Sequence, residues 1–216
     1  MPKEWIRMKI NIHAGHNPDG KTGCGAVGLI KESTEARKVK ELVIKYLKAQ
    51  GHTVYDCTVD DGKSQSDVLT KIVKKCNAHD VDLDISIHFN AGGGRGTEIL
   101  LYNKNSKAKS YAEKILKSIC ELGFKNRGLK YRTDLYVLNK TKAPAMLIEC
   151  CFVDSKTDIS LYDADKLAQA IVYGVIGKNA DSTVYKVQVG AFSSKKNAEN
   201  LANELIDKGY KAVVVK

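Results

Sequence analysis

Four polar residues in this chain have the types and positions that metal-assisted hydrolysis requires. They are His16, Glu32, His88 and Glu149, and each lies at or just past the end of a predicted strand or turn. Two imidazoles and one carboxylate can hold a zinc ion and leave a fourth position open for water. A second carboxylate that does not bind the metal can act as the general base beside that water. The residue types therefore predict a hydrolytic zinc centre.

Glu149 is the strongest single signal, because it interrupts a run that otherwise predicts a buried strand. The run Met146–Val153 is apolar on both sides of this carboxylate. An unpaired buried charge costs several kcal/mol, so such a residue is usually paired, bound to a metal or functional. The alternative to a functional role is a buried ion pair, for which Arg127 and Arg132 are the candidate partners.

The five histidines of the chain differ in their sequence surroundings. His88 ends an apolar strand, where an imidazole is uncommon unless it is used, and His16 follows a turn after the first strand. His13 lies three residues before His16, and we interpret it as structural or as a support for the site. His52 and His79 each follow the end of a predicted helix and are predicted at the surface.

Hydrophobic periodicity predicts strands that alternate with helices along most of the chain. The predicted strands cover residues 8–13, 53–56, 83–89, 97–102, 135–138 and 145–152, and the helical stripes lie within 33–50, 68–76, 106–122 and 167–175. Ser106 is the predicted N-cap of the third helix. This alternation predicts an α/β fold with a mixed, largely parallel sheet flanked by helices. Ligands of such sheets bind beyond the carboxyl ends of the strands, so the four polar residues are expected to meet at one edge.

The chain is predicted to contain two domains. Residues 1–178 form the catalytic domain, 179–183 a polar linker, and 184–216 a small C-terminal β-α-β unit. In that unit Tyr185–Val189 and Tyr210–Val215 are predicted strands, and Ser194 begins the helix between them. A unit of this length cannot bury both faces by itself.

Composition restricts the partners and the compartment. The formal net charge of +10 favours a polyanionic partner such as nucleic acid, an acidic membrane surface or an anionic cell wall, although a basic surface that only solubilises is an equal alternative. The chain lacks an arginine-rich helix, so no nucleic-acid partner is predicted. It also lacks a long apolar run, so no membrane insertion is predicted. The first residues carry no export signal, which predicts synthesis in the cytoplasm with reduced cysteines.

Several motifs together resemble the zinc-dependent N-acetylmuramoyl-L-alanine amidases of bacterial autolysins and phage endolysins. The resemblance covers about residues 8–178, and its motifs are His13-Ala14-Gly15-His16, Gly25–Glu32, Ser86–Ala91, Asn126-Arg127-Gly128 and Pro144–Phe152. It departs from the family pattern at His13, where the family has an aspartate that can tune the metal through its ligands.

The resemblance implies a role for each of the four polar residues. His16, Glu32 and His88 would be the zinc ligands and Glu149 the catalytic base. Glu35 competes with Glu32 for the ligand role, and the spacing to the apolar residues that follow favours Glu32. The implied reaction is cleavage of the amide bond between N-acetylmuramic acid and L-alanine in peptidoglycan. Without an export signal the enzyme is expected to reach the wall after release, which favours an endolysin over an autolysin.

The C-terminal unit resembles one half of a SPOR repeat, a domain that binds glycan strands stripped of peptide. Val184–Ser194 resembles the opening of the repeat, and Gln188 corresponds to a glycan-contacting position. Ala191 stands where a serine is common. Since the second half is missing, two tails from two chains could complete one sheet, which predicts a homodimer.

Two other functions remain open from the sequence. One is a zinc carboxypeptidase acting on stem peptides, for which Arg127 or Arg132 would have to clamp a terminal carboxylate. The other is a non-catalytic glycan-binding module. The presence of all four residues, His16, Glu32, His88 and Glu149, argues against the second alternative.

Overall fold

The computed structural model describes residues 7–177, 189–210 and 212–214. The chain divides into two compact units, Met1–Ser182 and Thr183–Lys216. Much of the segment that contains the predicted linker lies outside the described residues. The domain limits 1–178, 179–183 and 184–216 therefore stay a prediction.

The described helices and strands of the first unit alternate over most of its length. In chain order they are β1 (Lys9–Ala14), α1 (Glu32–Ala49), β2 (Thr53–Asp56), α2 (Gln65–Cys76), β3 (Leu83–Asn90), β4 (Thr97–Leu101), α3 (Lys109–Cys120), β5 (Asn126–Tyr131), α4 (Tyr136–Lys140), β6 (Ala145–Phe152), α5 (Lys156–Leu161) and α6 (Ala164–Ile176). The second unit contributes α7 (Lys195–Asp207).

The six strands form one sheet in the order β2-β1-β3-β6-β4-β5. Strands β1, β2, β3 and β6 are parallel, whereas β4 is antiparallel to β6 and parallel to β5. The predicted α/β fold with a mixed, largely parallel sheet is confirmed. Because β4 and β5 run in the opposite direction, their first residues lie at the same edge as the carboxyl ends of β3 and β6. We call this edge, where β3 ends at Asn90 and β4 begins at Thr97, the site edge.

One face of the sheet is covered by α1, α3 and α6. Val39, Val43 and Leu47 recur four residues apart and are fully buried, which is the spacing of one helical face. Helix α6 contacts both α1 and α3. Gly174 allows the close approach of α6 to α3, because a Cβ there would lie 2.5 Å from the Cα atom of Ile115.

The opposite face carries α2 and α4 and is more polar. Asn11 and Asp84 are register partners on β1 and β3, as are His13 and Ser86, and all four are buried. The Asn11 amide donates to the carbonyl of Cys76 at the end of α2, which places this polar group under that helix. Buried polar atoms are costly unless they are hydrogen-bonded. Four buried polar residues on one face of the sheet therefore distinguish the layer beneath the site from an ordinary apolar core.

Several predicted elements were wrong. The predicted strand at 135–138 is the short helix α4, whose Val137 and Leu138 are buried. Strand β5 was missed because it is an edge strand with exposed ends, so it lacks the alternation of a half-buried strand. Ser106 does not cap α3, which begins at Lys109 after Ala108. Helix α5 was not predicted.

The C-terminal unit differs in part from the predicted β-α-β arrangement. Helix α7 follows Ser194 as expected, and Gly209 with a φ of +86° comes just after its end. The described parts of the two predicted strands, Val189, Tyr210 and residues 212–214, are not in strands. Gln188 lies outside the described residues.

Two further predictions concern membranes and thiols. Within the described part of the chain, the helices are too short or too polar to cross a bilayer. All six cysteines are free thiols; Cys57, Cys76, Cys150 and Cys151 are buried, and Cys24 and Cys120 are partly buried.

Candidate metal centre and catalytic site

Three of the four predicted site residues converge at the site edge. His16 follows β1, Glu32 is the first residue of α1, and His88 lies near the end of β3. Their ligand atoms all lie within 4.8 Å of one another. Glu32 Oε1 is 3.3 Å from His16 Nε2 and 3.0 Å from His88 Nδ1. Segments that are 72 residues apart along the chain, from His16 to His88, therefore supply one cluster of two imidazoles and one carboxylate.

His16 has an unusual backbone conformation. Its φ of 64° is the only positive φ of a non-glycine residue in the described part of the chain. The left-handed region costs an L-residue about 1–2 kcal/mol, and such strain persists only where surrounding contacts hold it. Here it turns the imidazole back from the end of β1 towards Glu32.

Two glycines leave room for the ligand side chains. A Cβ at Gly15 would lie 2.0 Å from Cε1 of His88. A Cβ at Gly25 would lie 2.6 Å from Glu32 Oε2 and 2.9 Å from His16 Cδ2, and Gly25 has a φ of +81°. These positions tolerate no side chain without movement of the cluster. Gly15 and Gly25 of the predicted motifs are therefore glycines because a larger residue would collide with the ligand side chains.

Glu32 is held as a carboxylate although it is buried. Burial is the largest influence on its pKa and acts to raise it, but hydrogen bonds with His16 and His88 outweigh it and hold the pKa well below the usual range. The Ala26 N–H donates to Oε2 at 2.8 Å, and the Phe89 N–H donates to Oε1 at 3.2 Å. The charged form is therefore fixed in position.

His88 and His13, which lie within strands β3 and β1, are biased towards the neutral form. Burial lowers the pKa of His88, even though Glu32 acts in the opposite direction. Burial also lowers the pKa of His13 to about 3, with the neighbouring His88 as the second cause. Only a neutral imidazole has a nitrogen lone pair for a metal. His13 is fully buried and 3.4 Å from the Ser86 hydroxyl, outside the cluster of three, as predicted for a structural residue.

Glu149 lies beside the cluster on the neighbouring strand. It is the register partner of His88 on one side and of Glu98 on the other. Its Oε2 is buried and has no hydrogen-bond partner among the described residues. Burial, followed by the charges of Glu32 and Glu98, raises the pKa of Glu149 to about 8. A partly buried carboxyl group with one unpaired oxygen and a raised pKa next to a ligand cluster is typical of a general acid or base.

Glu149 has no ion pair with Arg127 or Arg132, which instead contact Glu98 and Asp134. The ion-pair alternative for Glu149 is therefore wrong.

Glu35 lies away from the cluster. Its carboxylate accepts hydrogen bonds from Lys38 at 2.7 Å and from the Tyr162 hydroxyl at 2.8 Å. These contacts occupy both of its oxygens, so Glu32 is the carboxylate that the fold brings to His16 and His88.

The three side chains fit a metal ion by their chemistry. Two imidazole nitrogens and one carboxylate oxygen are a common donor set for zinc in catalytic sites, where water completes the coordination. His16 keeps a side-chain exposure of 21%, so the cluster is reachable from solvent. A catalytic zinc site also needs a group that can accept a proton from water, and the unpaired Oε2 of Glu149 is such a group.

Two residues near the site were missed by sequence reasoning. Glu98 is 8% exposed within the otherwise apolar β4, so it carried the same signal as Glu149, a carboxylate in a buried strand. Its oxygens accept from Asn90 Nδ2 at 3.0 Å and from Arg127 Nε at 2.8 Å. The second missed residue, Arg37, contacts the backbone of His16, and no local pattern distinguishes it from a surface arginine.

Comparison with protein families agrees with this geometry. The model of the family described as N-acetylmuramoyl-L-alanine amidase matches residues 10–177, which contain all four site residues. The chain belongs to the N-acetylmuramoyl-L-alanine amidase family. A second model, the SPOR domain, matches residues 181–216 of this amidase-family chain.

Individual relatives of this amidase-family chain point the same way. An uncharacterized 38.4 kDa protein of Clostridium perfringens is 40% identical over 202 residues, covering 91% of this chain and 57% of that protein. The N-acetylmuramoyl-L-alanine amidase CwlM of Bacillus licheniformis is 31% identical over 222 residues, covering 96% of this chain and 85% of CwlM. The chain spans about half the length of the Clostridium perfringens relatives that it matches.

A solved structure shares the fold. The catalytic domain of CD27L, an endolysin targeting Clostridia Difficile, superposes with a TM-score of 0.74 at 30% sequence identity. The match covers 80% of this chain and 99% of that domain.

Proposed function

We propose that this chain is a zinc-dependent hydrolase that cuts the amide bond between N-acetylmuramic acid and L-alanine in peptidoglycan. The observation that carries the proposal is the convergence of His16, Glu32 and His88 beside the buried, unpaired Oε2 atom of Glu149. Membership of the amidase family supports the choice of substrate. The two relatives named as an amidase and an endolysin support a role in wall degradation.

Each site residue has a separate task in this proposal. When bound, zinc would polarise the scissile carbonyl and lower the pKa of water. His16, Glu32 and His88 would hold the ion, with Glu32 kept ionised and His88 kept neutral by their surroundings. Glu149 would take a proton from the attacking water and return it to the leaving amine.

The raised pKa of Glu149 suits both halves of that task. Burial favours its neutral acid, while positive charge in the adjacent cluster would favour the carboxylate. A group whose two protonation states are close in free energy near neutral pH can accept and donate a proton with little loss. Its position on β6, one strand from His88, places it beside the cluster without occupying a ligand position.

The tail and the surface charge would keep the enzyme on its substrate. The SPOR family match supports binding of peptidoglycan glycan by residues 181–216, and we assign Gln188 to that contact. The net charge of +10 complements an anionic wall. In the same proposal, the tails of two chains associate to form a homodimer.

Mass spectrometry of digested peptidoglycan tests the reaction. Purified walls would be incubated with the protein, with and without a chelator, and then with added zinc. We expect free stem peptides that begin at L-alanine, their loss with chelator and their return with zinc. Shortened peptides still attached to muramic acid would instead support the carboxypeptidase alternative. No new product would contradict the proposed function.

A pair of glutamine variants tests the role of Glu149. Glu149→Gln keeps the size of the side chain and removes its proton-accepting oxygen. We expect loss of turnover by at least about 100-fold, the typical contribution of a general base, with zinc binding unchanged. Glu35→Gln is the matched control, because Glu35 is also a buried glutamate but contacts Lys38 and Tyr162. Equal turnover of the two variants would remove Glu149 from the mechanism.

A further inference from the structure

A basic groove lies at the site edge, on the side of β4 and β5. Its lining includes Arg95 and Lys125 from the turns before β4 and β5, Arg127 from β5, and Asp154 just after β6. The groove is open to solvent and has a volume of about 400 Å³. Neither the metal cluster nor Glu149 lines it, so the proposed reaction leaves its residues without a task.

Strand register connects the groove to Glu149. His88, Glu149 and Glu98 are successive register partners on β3, β6 and β4, so their side chains share one face of the sheet. Between β4 and β5 the pairing shifts, from Thr97 opposite Asn126 to Ile99 opposite Leu129. Arg127 lies in this irregular stretch and reaches back to Glu98. Adjacent strands are about 4.8 Å apart, so the backbone of Arg127 on β5 is about 10 Å from that of Glu149 on β6.

Arg127 is fixed in position but keeps donors free. Its Nε donates to Glu98 Oε2 at 2.8 Å, and its guanidinium lies 4.9 Å from the ring centre of Phe152. Neither terminal nitrogen makes a hydrogen bond within the part of the chain that the structure describes. The side chain is 32% exposed. A guanidinium held in this way presents two parallel N–H groups, the geometry that matches a carboxylate.

The other charges of the groove add to this preference. Arg95 and Lys125 are exposed and have no ion pair within the described residues. The acidic residue Asp154 already accepts hydrogen bonds from the N–H groups of Gly92 and Gly93, both at 2.9 Å. An anion in the groove would therefore meet three cations, Arg95, Lys125 and Arg127, against two carboxylates, Asp154 and Glu98, which leaves one net positive charge.

We propose that this groove binds a free carboxylate of the stem peptide, two or three residues beyond the amide bond that is cut. This inference rests on the proposed function, since it requires the peptide to run from Glu149 towards β5. An extended chain advances about 3.4 Å per residue, so the second or third residue reaches the separation of about 10 Å between Glu149 and Arg127. The groove would then prefer stem peptides in which this side-chain carboxylate or α-carboxylate is free. Stem peptides in which the same group is amidated would be poorer substrates.

The test uses two synthetic muramoyl peptides that differ only in one group, a free carboxylate or a carboxamide at the second residue. A second pair differs in the same way at the third residue. Wild type and Arg127→Gln would be compared on each pair by kcat/KM. We expect wild type to prefer one of the two acids over its amide by about 10-fold or more, the contribution of a charge-assisted hydrogen bond. In Arg127→Gln that preference should fall to nearly one, because the groove then distinguishes the acid from the amide only weakly.

Arg132→Gln is the matched control, because Arg132 is an exposed arginine at the far end of β5, paired with Asp134. It should keep the preference of wild type. The double variant Arg95→Gln/Lys125→Gln changes only exposed side chains and should reduce the preference even if Arg127→Gln does not fold. Equal use of acid and amide by wild type in both pairs would overturn the inference while the proposed function stands.

Calorimetry of the released acid and amide peptides tests, without turnover, whether the groove binds the carboxylate. Tighter binding of one acid by wild type, lost in Arg127→Gln, supports the groove, and equal binding of acid and amide in both pairs overturns it. If neither substrate of a pair is cut, the proposed function fails, and the binding result still decides the groove.

Discussion

The guanidinium of Arg37 donates a hydrogen bond of 3.0 Å to the carbonyl oxygen of His16. The same side chain donates to the carbonyls of Ser33 at 2.9 Å and Val59 at 3.2 Å, and pairs with Asp60. It thus ties the first turn of α1 and the segment after β2 to the one residue that has a strained backbone. The position of the His16 imidazole depends on a residue that touches no ligand atom.

Replacing Arg37 should weaken zinc binding. Arg37→Lys leaves three donors on a single nitrogen for three carbonyls and Asp60, so His16 can relax out of its left-handed conformation. We expect the zinc dissociation constant to rise by about 10- to 100-fold, as for other residues that support metal ligands. Competition with a chromophoric chelator measures it. Arg132→Lys, at an exposed ion pair, should bind zinc like wild type. Unchanged zinc affinity in Arg37→Lys would show that Arg37 only stabilises the fold.

A methyl group at Gly25 should displace Glu32. In Gly25→Ala the new Cβ would meet Glu32 Oε2 and His16 Cδ2, so we expect a loss of zinc affinity on top of the backbone cost. Gly20→Ala is a matched control, because Gly20 has a similar φ of +80° and nothing within 4 Å of its Cβ position. It should lower the free energy of unfolding by about 1 kcal/mol and leave zinc affinity unchanged. Equal zinc affinity of the two variants would contradict the cradle role of Gly25.

The buried carboxyl group of Asp84 should make stability fall as pH rises. Burial raises its pKa to about 6 in the folded protein, from an ordinary value of 3.8, despite the opposing influence of Asn11 and Cys76. Since the folded pKa is the higher one, the contribution is fully present below about pH 4 and is lost as pH rises through 6. The loss amounts to about 3 kcal/mol at 1.4 kcal/mol per pKa unit.

Asp84→Asn removes that titration. Relative to wild type, we expect this variant to gain about 2–3 kcal/mol in unfolding free energy between about pH 4 and pH 8. Urea unfolding at the two pH values measures the difference. Asp80→Asn, at an exposed position, should show no such gain. A parallel pH dependence of Asp84→Asn and wild type would mean that Asp84 does not control it.

The tail should associate two chains. Its apolar residues are widely exposed, with Tyr210 at 66% and Val213 at 75%. Burying this surface would favour a dimer. We expect the full chain to sediment at about twice its mass of 23.8 kDa. Ile206→Asp, on the exposed part of α7, should restore the monomer, whereas Asn203→Asp should not. A full-length monomer at micromolar concentration would exclude the homodimer.

Local sequence patterns were sufficient where the signal was strong and short in range. Strands β1, β3 and β6 were predicted because they are nearly continuous apolar runs, and α1 and α6 because their apolar residues recur at helical spacing. Strand β5 was missed, and helix α4 was predicted as a strand. The edge strand is too polar to alternate, and four apolar or aromatic residues near Leu138 resemble a strand until their packing against the sheet is known.

The sequence by itself determined the chemistry that is available: two histidines and two carboxylates in motifs that resemble one family, on a fold of alternating strands and helices. Tertiary structure decided which of these groups meet. Glu32 reaches His16 and His88 because it is the first residue of α1, whereas Glu35, one turn further along the same face of the helix, is held by Tyr162. The row from His88 through Glu149 and Glu98 depends on the pairing of β3, β6 and β4, strands that are not consecutive along the chain. Such pairings are set by packing of the whole sheet, and no local pattern encodes them.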